Sequence, residues 1–419
     1  MRVSDVFSLL ARLALIAACG YAAWRSVAIA RADWSANEGT IQGFERALQL
    51  DPSDPDLVAR AALFRNENDD PAPSVDDELR RAARLNPLNP AVRMTLGLRE
   101  ELAGNDAKAE ADLVRAAEVD HQFKPAWTLA NYYYRTGQPE KSWAMIERVL
   151  RLDPLGFDPS PVFDLCWREA SQTGKSEDAN AARIAKLVPA GNLSVQYLAF
   201  LMRTRRTGAA IAAWPRALAA PGDPVPGELR EFPDYLANAG RIDDAVKAWN
   251  ELVERGIMHS GPLNPTQGSS IGDPDFRFGI QPEAHIFGWR VAEVPGVFAT
   301  ASPGSLNFEI SGDEATSFQI LSTNAPLRPG TKYRLAWKAD ASGLNAPHDP
   351  GFAFQVVQQP GKAETACSPL LSTSPPACEF TAAGDSGLAR IQLTYTRAQG
   401  TVRVSGALHI LFVRMEIAR

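Results

Sequence analysis

The sequence predicts an all-α solenoid of helix–turn–helix repeats followed by an all-β sandwich, with an apolar segment ahead of both. Three observations carry this. A phrase of the type ALQLDP recurs at near-constant spacing from Ala47 to Pro189. After Met258 the apolar positions change from three- and four-residue spacing to alternation. Between Val6 and Ala30, only Arg12 and Arg25 carry charge.

The apolar segment (residues 1–32) is expected to be an N-terminal transmembrane anchor or signal segment. Its uncharged run, Leu13 to Trp24, spans about 18 Å as a helix, short of a hydrocarbon core of roughly 30 Å. Either flank completes a span, with Arg12 or Arg25 reaching toward headgroups. A single anchoring helix is the leading reading. A signal-peptidase site at Ala28-Ile29-Ala30 and a lipoprotein box ending at Cys19 are the alternatives. Arg2 and Arg12 precede the span while Arg25 and Arg31 follow it, so basic residues leave the topology open.

The repeat region is expected over residues 33–258. The phrase appears at Ala47–Pro52, Ala82–Pro87, Ala116–His121, Val149–Pro154 and Ile184–Pro189, at steps of 35, 34, 33 and 35 residues. A further step reaches Pro224. Inside one period, Gly104-Asn105 reads as the turn, and Ala109, Leu113 and Ala116 as the buried stripe of the second helix. Trp127, Tyr134, Trp143 and Trp167 read as core. The acidic runs Asp76-Asp77-Glu78 and Asp243-Asp244 read as first-turn residues that favour the helix dipole.

This period, with small residues at matching places, resembles the tetratricopeptide repeat (TPR) family. The resemblance implies no catalytic residue. It implies a groove for a partner protein, lined by the first helix of each repeat. Carried over by repeat position, the groove comprises Met94, Leu98, Thr128, Tyr132, Arg135, Asp164, Arg168, Leu198, Met202 and Arg205. Tyr132, Arg135, Asp164, Arg168 and Arg205 are the main candidates. The arginines suit an acidic or carboxylate-terminated segment, because the guanidinium fork pairs with carboxylates.

Residues 259–278, rich in Pro, Gly and Ser, read as a linker. Residues 279–419 are expected to form a sandwich of about eight short strands. Alternation marks Leu306–Ile310, Tyr333–Ala339, Phe352–Val356 and Ile391–Tyr395, with one or two final strands up to Ile417. Gly288-Trp289, Phe318-Gln319-Ile320 and the run Leu327–Leu335 with Pro329-Gly330 resemble the galactose-binding-like jelly roll of carbohydrate-binding modules. That resemblance implies a possible glycan site in which Trp289 stacks on a sugar ring and Gln319, Gln355 and Gln392 hold hydroxyls. Trp337 reads as core.

Cys367 and Cys378 flank a Ser/Pro-rich stretch, and their spacing allows a disulfide closing a surface loop, with two unpaired thiols as the alternative. A disulfide requires an oxidising compartment and so tips the topology toward an extracytoplasmic body. A formal net charge of −6 supplies no basic surplus for nucleic acid. The five histidines, His348 among them, are scattered, and no zinc-protease, nucleophile-elbow or P-loop motif occurs. No cofactor and no metal site are expected.

The expected protein is therefore a non-enzymatic scaffold, single-pass in the inner (cytoplasmic) membrane with a periplasmic body. Its TPR array would bind a partner protein and its sandwich would hold glycan, which by analogy suggests cell-envelope polysaccharide assembly or export. A purely protein-binding assembly factor and an envelope enzyme with an unrecognised site are the two alternatives.

Overall fold

The computed structural model describes residues 3–68, 74–152, 158–172, 174–220, 222, 225–281, 285–346, 351–360, 364–371 and 377–418, with side chains from Leu10 onward. Arg2, Pro154, Pro224 and His348 lie outside the described residues. The chain divides into two compact units, Met1–Pro189 and Ala190–Arg419.

The first unit is helical: α1 (Val3–Ala36), α2 (Ile41–Leu50), α3 (Pro55–Glu67), α4 (Ser74–Leu85), α5 (Pro90–Leu102), α6 (Asp106–Val119), α7 (Phe123–Arg135), α8 (Pro139–Leu152), α9 (Ser160–Ser171) and α10 (Glu177–Leu187). Local chemistry sets the starts. Asp54 accepts the N–H groups of Asp56 and Leu57 ahead of Pro55. Asn89 accepts that of Val92 ahead of Pro90. Each pattern pairs an N-cap side chain with proline in the first turn.

The helices pack in antiparallel pairs, and the first pair is unexpected. The apolar N-terminal helix does not stop at residue 32. It runs unbroken to Ala36, and its last turns are the first helix of the first repeat. Ala32 and Ala36 are buried with Phe44, Ala47, Leu57 and Ala61. A Cβ on Gly43 would collide with the Ser35 carbonyl oxygen, so only glycine allows α2 this approach. Arg25 reaches across to Asp51, which is 3% exposed, at 2.6 Å. Between Leu10 and Ile29, by contrast, Leu13, Leu15, Ile16, Tyr21, Trp24 and Val27 are exposed.

The second unit opens with α11 (Asn192–Arg203), α12 (Thr207–Leu218), α13 (Gly227–Asn238) and α14 (Ile242–Glu254). Ten strands follow among the described residues: β1 (Arg290–Val291), β2 (Val297–Ser302), β3 (Ser305–Ile310), β4 (Ser317–Pro326), β5 (Lys332–Leu344), β6 (Phe352–Gln359), β7 (Glu364–Pro369), β8 (Ala377–Thr381), β9 (Leu388–Thr396) and β10 (Gly406–Ile417). They make two antiparallel sheets, ordered β1-β4-β9-β6-β7 and β2-β3-β10-β5-β8. One core lies between them and includes Trp337, Phe354, Leu393 and Val413. In β6 the alternation is literal: Phe352, Phe354 and Val356 are buried, while Ala353, Gln355 and Val357 are half-buried.

The stretch read as a linker is packed. Ile271 and Phe276 belong to the sandwich core. Leu263 is buried and exchanges two hydrogen bonds with the Asn250 side chain on α14, at 2.7 and 2.8 Å. Asn250 thereby supplies both a donor and an acceptor to otherwise orphaned backbone groups. Cys367 on β7 and Cys378 on β8 are disulfide-bonded, with Cα atoms 5.1 Å apart. Both are buried, and the bond joins edge strands of opposite sheets.

The turns inside the pairs share one geometry. Gly104, Gly137, Gly174 and Gly240 all have positive φ near 70°, and Arg205 occupies the same place with φ 57°. Its N–H bonds the Met202 carbonyl and that of Arg206 the Leu201 carbonyl, at 3.1 and 2.9 Å. Gly240 and Arg241 make the same pair of bonds, to Ala237 and Leu236. A side chain at this left-handed position costs about 1 kcal/mol. Arg205→Gly should therefore stabilise the second unit by about that amount, seen as a higher urea midpoint at unchanged slope; a lower midpoint would contradict the turn analysis. For the disulfide, closing a loop of this size stabilises by about 2–3 kcal/mol. Reductant should lower the melting temperature of the natural chain and leave that of the Cys367→Ala/Cys378→Ala double variant unchanged.

Candidate functional site

The first helix of each pair buries one face and shows the other. On α7 the buried set is Ala126, Leu129, Ala130, Tyr132 and Tyr133, leaving Lys124, Thr128, Asn131 and Arg135 on the outer side. On α9 the buried set includes Phe163, Cys166 and Trp167, and Asp164 and Arg168 face outward. On α5, Leu98 and Leu102 are exposed. A solvent-facing strip thus crosses α5, α7 and α9.

The strip differs from the sequence expectation in identifiable ways. Tyr132 is fully buried, and its hydroxyl donates to the Asp106 carbonyl at 2.9 Å. It anchors α7 on α6 and is not a groove residue. Met94 and Leu198 are likewise buried. Arg135 is exposed but already engaged, its guanidinium forked onto Glu101 at 2.7 and 2.6 Å. The two residues are 34 positions apart, so equivalent sites of consecutive repeats pair with each other. Asp164 and Arg168 pair along their own helix at 2.6 Å, both exposed; such a pair contributes little to stability and parts readily for a partner. Arg205 belongs to a turn in the second unit. Sequence reasoning missed Lys124 and Asn131. The small residues Ala126 and Ala130, four apart, were the signal that fixes the helix phase.

The glycan candidates are not brought together. Trp289 is 4% exposed, tilted against Phe276 with ring centroids 5.3 Å apart, and its indole N–H donates to the Asp273 carbonyl at 2.8 Å. It is a core residue and offers no platform to a sugar ring. Gln355 and Gln392 are cross-strand partners on the outer face, and they bond each other at 2.9 Å. Gln319 sits two strands from Gln355, opposite Thr394. Beside Gln392 opens a cleft of about 960 Å³, walled by the α13–α14 turn and by Arg328, Gln359 and Arg390. None of the residues lining it is aromatic.

Among the described residues no group of three His, Cys, Asp or Glu side chains is placed to hold a metal ion. Cys166 is buried, and burial pushes its thiol above the usual range, away from reactivity.

No protein-family model matches this chain. Among sequence relatives, the human interferon-induced protein with tetratricopeptide repeats 2 is 27% identical over 125 residues, covering 28% of this chain and 26% of that protein. The human antiviral innate immune response effector IFIT1 is 24% identical over 159 residues, 35% of this chain and 33% of its own. The chain thus spans about a quarter to a third of the length of these curated relatives. Among solved structures, PilF of Pseudomonas aeruginosa is 16% identical with a TM-score of 0.30, covering 56% of this chain and 93% of that one. Yeast Tom70 has the same identity and TM-score, over 55% and 51%. A helical repeat region is present in this chain.

One residue on from Arg168, Glu169 is buried and accepts a hydrogen bond from the Ser142 hydroxyl at 3.3 Å. Burial raises its pKa above the ordinary carboxylate value, more than Ser142 and nearby Arg183 lower it. A raised carboxyl favours the fold while protonated, and that contribution is lost as pH rises through the folded-state pKa. Glu169→Gln should therefore raise the melting temperature of the first unit at pH 7 more than at pH 4. Equal shifts at both would show that ionisation of Glu169 is not what costs stability.

Proposed function

We propose that the chain is a membrane-anchored scaffold whose body lies on the extracytoplasmic side and binds a partner protein. The observation that carries this is α1. One helix holds an exposed, largely apolar run from Leu10 to Trp24, about 22 Å long at 1.5 Å per residue and interrupted only by Arg12, and then becomes a packed member of the first repeat. Such a run is costly in water, and a bilayer accommodates it. Retention follows from the same geometry. Cleavage after Ala30 would remove Arg25 and leave Asp51 buried without its counter-charge, a loss of several kcal/mol. The Cys367–Cys378 bond supports an oxidising compartment for the body, which in a single-pass arrangement is the periplasm.

The partner surface is the strip on α5, α7 and α9. Its exposed Asp164–Arg168 pair and exposed Leu98 and Leu102 mix charge with apolar contact, as protein interfaces do. We read the two sheets as a jelly roll, since β3-β10-β5-β8 faces β4-β9-β6-β7 in that fold's strand order. The reading for this domain is protein contact rather than glycan: its one aromatic candidate is internal, and two of its three glutamines bond each other while the third, Gln319, lies two strands off.

The test is fractionation of the full chain. It should remain in membranes after alkaline carbonate washing, with its body degraded by protease only once the outer side is opened. A photo-crosslinking side chain in place of Asn131 or Thr128 should trap one common protein. Release by carbonate would refute the anchor, and distinct random products from the two positions would refute the strip.

A further inference from the structure

A second cleft, of about 300 Å³, lies where α13 and α14 meet the start of the sandwich. This volume is at the lower end of small-ligand sites. Its apolar wall is Trp249, which stands edge-on to Phe287 at 5.5 Å, together with Met258 and Trp289. The polar groups at its edge are unequally committed. Asp273, the only carboxylate lining it among the described residues, is spent: its two oxygens accept the N–H groups of Arg277 and Phe278 at 2.8 and 3.0 Å. His285 has Nδ1 3.3 Å from Asp234, which leaves Nε2 uncommitted.

The cation, in contrast, is unspent. Trp249 is 3% exposed and its indole N–H is sealed from solvent, so it gives the cleft ring surface and no donor. Arg230, half-buried on α13, lines the same cleft and has no hydrogen bond or ion pair among the described residues. His259 is exposed at its rim. A cleft with aromatic walls, an unpaired guanidinium and a committed carboxylate is complementary to an acceptor with negative charge on an apolar body.

We propose that this cleft binds a carboxylate carried on an apolar or aromatic group, with Arg230 taking its oxygens and the Trp249 and Phe287 rings holding its body. The carboxylate has two natural sources, the C-terminal residue of a polypeptide and a free small organic acid. Neither depends on the strip of the first unit.

Calorimetric titration of the full chain in detergent tests this with four probes: 3-phenylpropionate, its primary amide, and a tetrapeptide ending in phenylalanine as free acid and as amide. At least one acid should bind about tenfold or more tightly than its amide. Arg230→Gln should abolish that preference while leaving the amide's affinity alone. Because Arg230 is only half-buried, that variant should fold, and its melting curve checks this. A tighter free-acid peptide identifies a polypeptide C-terminus, and a tighter phenylpropionate a small acid. Equal affinity of acid and amide, no binding by any probe, or an acid preference surviving in folded Arg230→Gln would overturn the proposal.

Discussion

Pairs of helices joined by connections of three to six residues can hold together only if their facing sides are small. Here those sides are made of alanine and glycine. Ala47, Ala82, Ala109, Ala116, Ala130, Ala210, Ala213 and Ala245 are buried, and a Cβ on Gly97 would come within 2.6 Å of the Leu113 side chain. Close approach forces larger residues outward to the seams between pairs, where Leu79, Ile146, Phe163 and Phe232 are buried. No pair can cover that second face alone, so each requires a neighbour. Everything functional proposed for this chain inherits the constraint: the outer strip exists because the inner faces are used up.

The same logic explains what could be read in advance. The period was legible because the phrase closing each second helix sits at a chain reversal, where proline and acidic residues are needed regardless of neighbours. The central strands were legible because alternation is local. The short edge strands β2, β7 and β8 were not, since β2 is largely exposed and β7 and β8 are only six and five residues long. At the sites the sequence served less well. Tyr132, Tyr133 and Tyr134 are consecutive, and one step along a helix turns a side chain by about 100°, so a one-residue error of phase exchanges groove for core. Trp289 beside Gly288 is chemically the same whether a domain covers it or not; its burial depends on Phe276 and Asp273, which were assigned to a linker.

That former linker ties the two halves of the second unit together. Tyr333 accepts a hydrogen bond from the Arg328 N–H and donates to the Pro265 carbonyl, while Asn250 holds Leu263 to α14. The last helical pair and the sandwich therefore share polar bonds as well as apolar burial, and the small cleft at their seam has walls from both. Residues from Arg230 to Trp289 meet there, a juxtaposition that no window of sequence displays.

The continuity of α1 also fixes an angle. With a flexible tether, the body would face any direction about the membrane normal. In the proposed anchoring, with one unbroken helix, each residue between the bilayer and Ala36 sets an azimuth of about 100° and a height of about 1.5 Å. One residue added ahead of Tyr21 would then swing the outer strip more than a quarter turn while Arg25 kept its bond to Asp51. In this arrangement the number of residues in the helix is itself a specification of which way the scaffold looks.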